Sequence, residues 1–597
     1  MQNRRSGKFK SLDRTGLLIV VFFVIGALIV GRLFYIQVLL GKYFVGAADD
    51  QHKIEQVLLQ RRGEVYMQAS KDGGEVPVVI NKALSLVYAV PTEITNPRQT
   101  AKVLASILYD PGGQCNELLP EKASEELILK CEERKSFEDG VYDKVVKDND
   151  PYEPIEHNVD ESVVDHIKAR NLDGIYFEEE WVRFYPESEA TAHISGFLGF
   201  RDNVRTGQYG IEGYWNVELA GEAGKLYGDK DLFGRIIPVS SAELVEATDG
   251  VSVLLTIDKV VQNKAYEIIK KAIEDYGAEY GSIIVMDPSN GEIKAMAGYP
   301  SFDPNDYGQI DNIEVYKNMG ITGAYEPGSI FKIITMAIGL DTGAVEADSM
   351  FFDEGFVRLG DHTIRNADNE VFGEVNMTEV LENSINSGAV HVAFEAGNDE
   401  FRKYVEKFGF GKPVGISLDG ESWGDISSLD KKGDIYTATA SYGQGITITP
   451  MQMVQAMSAV VNGGQMIEPR IIKSIDGNSV ATEEKGKVIS EKTSQILKAM
   501  LVSVVKNGHG GNAQVEGYYI GGKTGTAEIA SSGGGYSNEN NHSFVGFGPL
   551  SQTKFVIMVR LSKPEWGRFS AVTAAPTFQK MAEFLLQYYQ IPPEYSI

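Results

Sequence analysis

The sequence predicts a membrane-tethered α/β (α+β) protein. A mainly antiparallel sheet with helices on both faces spans residues 250–597, preceded by a β-rich region and one transmembrane helix. Three observations carry this reading. A charge-free apolar run follows a basic N-terminus, turn-separated β-like runs sit at both ends of the 250–597 region, and helical apolar spacing fills the stretch between them.

The tether comes first. Arg4, Arg5, Lys8, Lys10 and Arg14 precede an uncharged run at 16–31, and apolar character resumes after Arg32 as LFYIQVLL. A helix needs roughly 20 residues to cross the hydrocarbon core. Residues 16–40 suffice when Arg32 snorkels toward the interface. The basic flank assigns residues 1–15 to the cytoplasm and the remainder to the outside of the cytoplasmic membrane. A cleaved signal peptide is the rival, but residues 44–48 (FVGAA) make a poor cleavage site.

At 597 residues the chain exceeds one ordinary domain, and 43% hydrophobic with 23% charged residues is normal globular composition. A net charge of -27 argues against nucleic-acid binding, which needs clustered cations. Cys115 and Cys131 match no zinc spacing and can pair as one disulfide if exported. None of the eight histidines forms H-E-x-x-H, so no metal is expected. Residues 41–249 mix short β-like runs, at 78–80 and 86–90, with polar helical stretches. The acidic segment 110–160 reads as a partly ordered surface excursion.

From residue 250 the pattern changes. A strand is predicted at 251–257, a helix at 260–276, and a hairpin from 282–286 and 292–297 around Pro288-Ser289-Asn290-Gly291. Helices at 330–340, 451–461 and 494–505 lead to strands at 518–529, 542–547 and 554–561.

Three short motifs carry chemistry. Residues 325–332 (YEPGSIFK) end in S-x-x-K, and residues three apart share a helix face, so Lys332 lies beside the Ser329 hydroxyl. A buried lysine near another cation loses its proton near neutral pH and serves as a general base. Read alone, the motif is equally a capping serine with a surface lysine. Ser384-Ile385-Asn386 places a hydroxyl and an amide where they can relay a proton and hold a substrate amide. In residues 521–527 (GGKTGTA), strand alternation sends Lys523 and Gly525 to one face, and Thr524 and Thr526 to the other. At a sheet edge lining a cleft, Lys523 and a hydroxyl converge on a carboxylate, and Gly525 lets substrate backbone approach. Residues 517–524 also satisfy a phosphate-loop pattern, although 518–520 is bulky and strand-like. In this order, about 55 and 140 residues apart, the three motifs form one constellation.

The chain resembles a class B penicillin-binding protein over nearly its whole length. The likeness extends to Leu255-Thr256-Ile257-Asp258 with Gln262, Met286-Asp287-Pro288 with Gly291-Glu292-Ile293, and YPSFDPN at 299–305. It continues through Gly443-Gln444-Gly445-Ile446, Thr449-Pro450, Asn462-Gly463-Gly464 and HSFVGF at 542–547. Arg32-Leu33 with Ile36-Gln37-Val38 is similar to the anchor of division-type members, and Gly210-Ile211-Glu212 to their pedestal. One departure is that Arg62-Gly63 runs into Glu64-Val65-Tyr66 and not into Asp-Arg-x-Gly.

The resemblance implies a pedestal or dimerisation-type domain at 41–249 and a peptidoglycan D,D-transpeptidase domain at 250–597. It implies Ser329 as nucleophile, Lys332 as base, Ser384 as proton relay and Asn386 as holder of the donor amide. Lys523, Thr524 and Thr526 would bind the terminal carboxylate of the stem peptide, with Gly525 beside its backbone. The N–H groups of Ser329 and Thr526 would form the oxyanion hole. β-Lactams would acylate Ser329, no cofactor would be needed, and a polytopic glycosyltransferase and cell-division proteins would be partners. A hydrolase on the same scaffold, a D,D-carboxypeptidase or β-lactamase, fits the anchor poorly and lacks an extra Glu motif. A non-catalytic sensor or scaffold fits the intact trio poorly.

Overall fold

The computed structural model describes residues 14–42, 53–109, 115, 124–147, 150–229, 243–530 and 535–596. Arg4, Arg5, Lys8 and Lys10 lie outside them. Contacts group the chain into two units, one of residues up to 61 with 220–250, the other of 62–219 with 251–597.

In the first unit a helix, Arg14–Phe34, continues through a π-helical turn, Tyr35–Leu39. The span Thr15–Leu39 is long and apolar enough to cross a membrane, and its side chains, such as Phe22 and Phe23, lie exposed. The unit also holds a three-stranded antiparallel sheet of Lys53–Leu58, Gly224–Asp229 and Glu243–Val245, with Gly224–Asp229 central.

In the second unit hydrogen bonds cross the boundary read at 249/250. Strand Val253–Asp258 lies parallel to Val65–Ser70 and antiparallel to Ile472–Ile475, so one sheet runs through both regions. The two short strands predicted at 78–80 and 86–90 are parts of one 17-residue strand, Gly73–Ala89. Its far half carries a satellite core of Val87, Leu104, Val141, Val145, Ile155 and Val159. Four of these six residues lie in the acidic segment. Helix Glu125–Val145 buries Val141 and Val145, and strand Glu153–Val159 pairs with Gly73–Ala89. The described parts of the segment are therefore built into the fold. Its apolar side chains are too sparse for periodicity to reveal, because only one narrow face is covered. Cys115 and Cys131 form the disulfide, Cα atoms 5.4 Å apart.

The main sheet contains strands β1 (Tyr280–Met286), β2 (Ile293–Tyr299), β3 (Gly521–Ala530), β4 (Tyr536–Gly548) and β5 (Phe555–Ser562). The order is β2-β1-β5-β4-β3, antiparallel throughout, with β3 at an edge. Alternation assigns the two faces. Ile283, Val285, Ile557 and Val559 pack with helices α1 (Lys259–Tyr276) and α7 (Ala574–Tyr588). Ile284, Met286, Val556 and Met558 join the core of α2 (Lys332–Thr342), α5 (Pro450–Val461) and α6 (Glu491–Asn507). The remaining helices used below are α3 (Met377–Glu382) and α4 (Asn386–Ala396).

Helix starts follow local chemistry. Asp258 accepts from the N–H groups of Val260 and Val261, and Thr449 with Gln452 makes a reciprocal capping box before α5. In the 288–291 turn Gly291 alone has a positive φ, +76°, and a Cβ there would lie 2.4 Å from the Glu468 carbonyl oxygen. Strand β3 starts at Gly521, so residues 518–520 precede the strand.

The pedestal is held by a buried ionic cluster. The Glu212 side chain is fully buried between two guanidinium groups, with Arg62 Nε 2.8 Å from Oε2 and Arg183 Nε 2.6 Å from Oε1. Removing the carboxylate would strand two cations in the interior, which costs about 3–5 kcal/mol. Glu212→Ala is therefore expected to lower the urea midpoint of unfolding by that equivalent, and an unchanged midpoint would refute the account.

Candidate active site

Ser329 sits in a 3-10 turn, Gly328–Phe331, directly before α2. The turn is clamped from two sides. The Gly328 N–H donates to the Gly443 carbonyl at 3.0 Å, and a Cβ on Gly443 (φ +82°) would lie 2.2 Å from the Gly328 oxygen. On the other side a Cβ on Gly525 would meet Ser543 Oγ at 2.6 Å, Ile330 Cγ2 at 2.9 Å and the Pro327 oxygen at 3.0 Å. Gly525 thus admits the nucleophile turn from behind the strand. The expectation that it opens space for substrate backbone is corrected, because that space is already filled by protein.

Lys332, the first residue of α2, is 1% exposed. Its Nζ lies 2.6 Å from the Ser384 carbonyl oxygen, 2.7 Å from Asn386 Oδ1 and 3.2 Å from Ser384 Oγ. Burial, and then the charge of Lys523, hold its pKa well below the ordinary lysine value. Lys332 makes no hydrogen bond to the Ser329 hydroxyl. Among the described residues none bonds to Ser329 Oγ, because the three acceptors from the second motif occupy the amine.

The second motif is shaped to offer those acceptors. Ser384 takes φ +55° between α3 and α4, a left-handed conformation that costs a non-glycine residue about 1–3 kcal/mol. Asn386 is oriented by its other end, with Nδ2 donating to the Arg365 carbonyl at 2.8 Å and its N–H donating to Asn366 Oδ1 at 3.0 Å. Asn366 Nδ2 in turn donates to buried Asp353 at 2.9 Å, and Ser387 Oγ, Gly355 N–H and Phe372 N–H donate to the same carboxylate. Burial pushes the Asp353 pKa up, but these four donors outweigh it and leave it below the ordinary range.

In the third motif the alternation is as read. Thr524 and Thr526 line the cleft, while Lys523 is fully buried and burial brings its pKa down to about 7. Its Nζ has two weak contacts, the Thr524 oxygen and Oγ1, both at 3.4 Å. The Thr526 hydroxyl donates to Ser570 Oγ at 3.1 Å and accepts from the Ser570 N–H at 3.2 Å. Since Lys523 lies within a strand and no helix follows it, the phosphate-loop reading of 517–524 fails.

Ser329, Ser384, Asn386, Thr524 and Thr526 face one cleft of about 870 Å³, with the two lysines behind them. Sequence reasoning missed Asp353, Asn366, Ser570 and His509. None belongs to a short motif, and only the fold brings them near.

The penicillin binding protein transpeptidase domain matches residues 281–583, and the penicillin-binding protein dimerisation domain matches residues 60–255. The chain belongs to the class B penicillin-binding proteins. It is 34% identical to Stage V sporulation protein D of Bacillus subtilis, across 94% of this chain and 83% of that one. To Peptidoglycan D,D-transpeptidase FtsI of Escherichia coli it is 31% identical, across 73% and 72%. The apo structure of Penicillin binding protein 3 from Mycobacterium tuberculosis superposes with a TM-score of 0.60 at 28% identity, over 70% of this chain and 92% of that one. Penicillin Binding Protein 2X from Streptococcus thermophilus (TM-score 0.71, 20% identity, 89% and 80% coverage) shares the fold. As a class B penicillin-binding protein the chain is a serine-type peptidoglycan D,D-transpeptidase.

The Asp353–Asn366–Asn386 chain generates a prediction. Asp353→Asn keeps the shape but leaves buried donors unpaired at about 1–3 kcal/mol each. Both a lower melting temperature and roughly tenfold slower acylation by penicillin are expected, since the mis-set Asn386 amide no longer holds Lys332. Destabilisation with unchanged acylation would show that Asp353 serves the fold alone.

Proposed function

We propose that this transpeptidase cross-links stem peptides through an acyl-enzyme on Ser329, with its N-terminus in the cytoplasm and its catalytic region outside. The observation that carries the residue roles is the buried Lys332 amine, bonded to Ser384 and Asn386 and crowded by Lys523. An amine so placed gives up its proton more readily than an ordinary lysine, and then has a lone pair for the Ser329 proton.

To act, Lys332 exchanges one of its three contacts for the Ser329 hydroxyl and takes its proton. Ser329 Oγ bonds to the carbonyl carbon of the penultimate D-alanine, and the oxyanion is met by the N–H groups of Ser329 and Thr526. The proton passes from Lys332 through Ser384 to the departing terminal D-alanine amine as the peptide bond breaks. Asn386 holds the donor amide, and cationic Lys523 with the Thr524 and Thr526 hydroxyls holds the terminal carboxylate. An acceptor amine then releases the acyl group. A β-lactam enters the first step as a mimic of the donor.

The membrane orientation is supported by the basic residues before the apolar span, and by the Cys115–Cys131 disulfide, which belongs to oxidising compartments. A polytopic glycosyltransferase and cell-division proteins are the partners proposed from the division-type anchor sequence. Service in sporulation is a second reading, favoured by the identity to a stage V sporulation protein across most of both chains. A fluorescent fusion followed through growth separates the two by where and when it gathers.

Fluorescent penicillin is expected to label wild type and not Ser329→Ala, and equal labelling would remove the nucleophile. The pH profile tests the lysines. Acylation should rise with pH as Lys332 loses its proton and fall above about pH 7 as Lys523 loses its own. Arginine does not titrate in this range, so Lys523→Arg should lack the falling limb whatever its absolute rate. Persistence of that limb would assign it to another group.

A further inference from the structure

We propose that Glu370 and His509 receive the acceptor amine, the carboxylate holding the incoming primary ammonium and the imidazole taking its proton before attack. The inference rests on the transpeptidase reading and deepens it.

His509 follows α6 in a loop pinned to the second motif. A Cβ on Gly508 would lie 2.4 Å from the Glu382 carbonyl oxygen, and the His509 N–H donates to that oxygen at 3.1 Å. Glu382 precedes Ser384 by two residues, so the loop fixes His509 beside the proton relay. The residue is open to solvent and lines the cleft with Ser329, Ser384 and Asn386, as does Glu370. The ionisable groups bearing on the imidazole are Lys523, Glu370 and Lys332, whereas the Glu382 carboxylate on α3 is engaged by Ser503 Oγ. Partial removal from water, then the Lys523 charge, lower the His509 pKa, and Glu370 opposes them. The ring is thus neutral near pH 7.

The chemistry needs such a group. A primary amine reaches the cleft as an ammonium and sheds two protons in becoming an amide nitrogen. One can return to Ser329 Oγ through Lys332 as the Oγ–C bond breaks. The other has to leave before attack, since an ammonium has no lone pair, and Lys332 cannot hold both. A neutral ring nitrogen of His509 accepts it and becomes imidazolium. The freed lone pair then forms the C–N bond, and the imidazolium releases its proton to solvent.

The test uses full-length enzyme, a D-alanyl thioester donor and D-alanine as acceptor. Aminolysis of the acyl-enzyme and acylation by penicillin are measured from pH 5 to 9. In His509→Gln the ratio of aminolysis to acylation should fall about a hundredfold, the low end of what a positioned base contributes, and its rise with pH through the imidazole titration should vanish. Glu370→Gln should raise the acceptor KM about tenfold with a smaller change in kcat. A ratio preserved in both variants, or aminolysis and acylation falling together, would overturn the proposal. A wild-type enzyme that penicillin does not label at Ser329 would instead sink the transpeptidase reading.

Discussion

Two lysine amines buried in adjacent positions are the constraint on which this site depends. Each buried ammonium costs several kcal/mol when unpaired, and their mutual repulsion adds to it. No carboxylate pairs with Lys332 or Lys523 among the described residues. Lys332 meets a carbonyl, a hydroxyl and an amide oxygen, whereas Lys523 has only two long contacts to Thr524. Neutral acceptors stabilise a cation less than a carboxylate would, so the cheaper state is the one in which a proton has left. Burial lowers both amines, and the charge of Lys523 adds to the lowering at Lys332, the one nearest the nucleophile in sequence. A Glu in place of Asn386 would pair with Lys332, keep it protonated and abolish its use as a base.

Geometry then has to hold those neutral acceptors without help from charge attraction. The left-handed turn at Ser384 aims its carbonyl and hydroxyl at one point, and Asn386 is fixed from behind by Arg365 and Asn366. Charge reappears only at the root, where Asp353 gathers four donors away from the cleft. That placement lets the carboxylate order the network while remaining too remote to compete for the Lys332 proton. The steric clamp has the same logic. Gly443 and Gly525 press the Gly328–Phe331 turn from both sides, so the nucleophile is set by backbone contact and its hydroxyl stays unengaged.

Much of this was legible in the chain, and what was not has identifiable causes. The three motifs and their meeting could be read because each is short and chemically distinctive. The faces of β3 followed from a period of two. Gly525 was misread because a glycine in a strand signals close approach without saying from which side. The partners of Lys332 were not legible because i, i+3 spacing brings side chains near and does not decide which acceptor wins the amine. Asp353 and His509 lie in segments with no pattern of their own. The helix at Glu125–Val145 escaped notice because it buries only a few apolar side chains, Val141 and Val145 among them, at one end.

Hydrogen bonds also cross the boundary read at residue 250. A composition shift marks where one pattern stops, but hydrogen bonds decide what folds together. Strand Val253–Asp258 pairs on one side with Val65–Ser70 and on the other with Ile472–Ile475. Asp258 at its end caps α1 and accepts from the Tyr588 hydroxyl of α7, 2.9 Å away, while that hydroxyl accepts from the Lys71 N–H at 2.7 Å. Removing residues 62–219 would therefore expose an edge of Val253–Asp258 and unpair a strand whose last residue starts a core helix. The pedestal strands act as part of the catalytic scaffold, although the sequence pattern changes at 250.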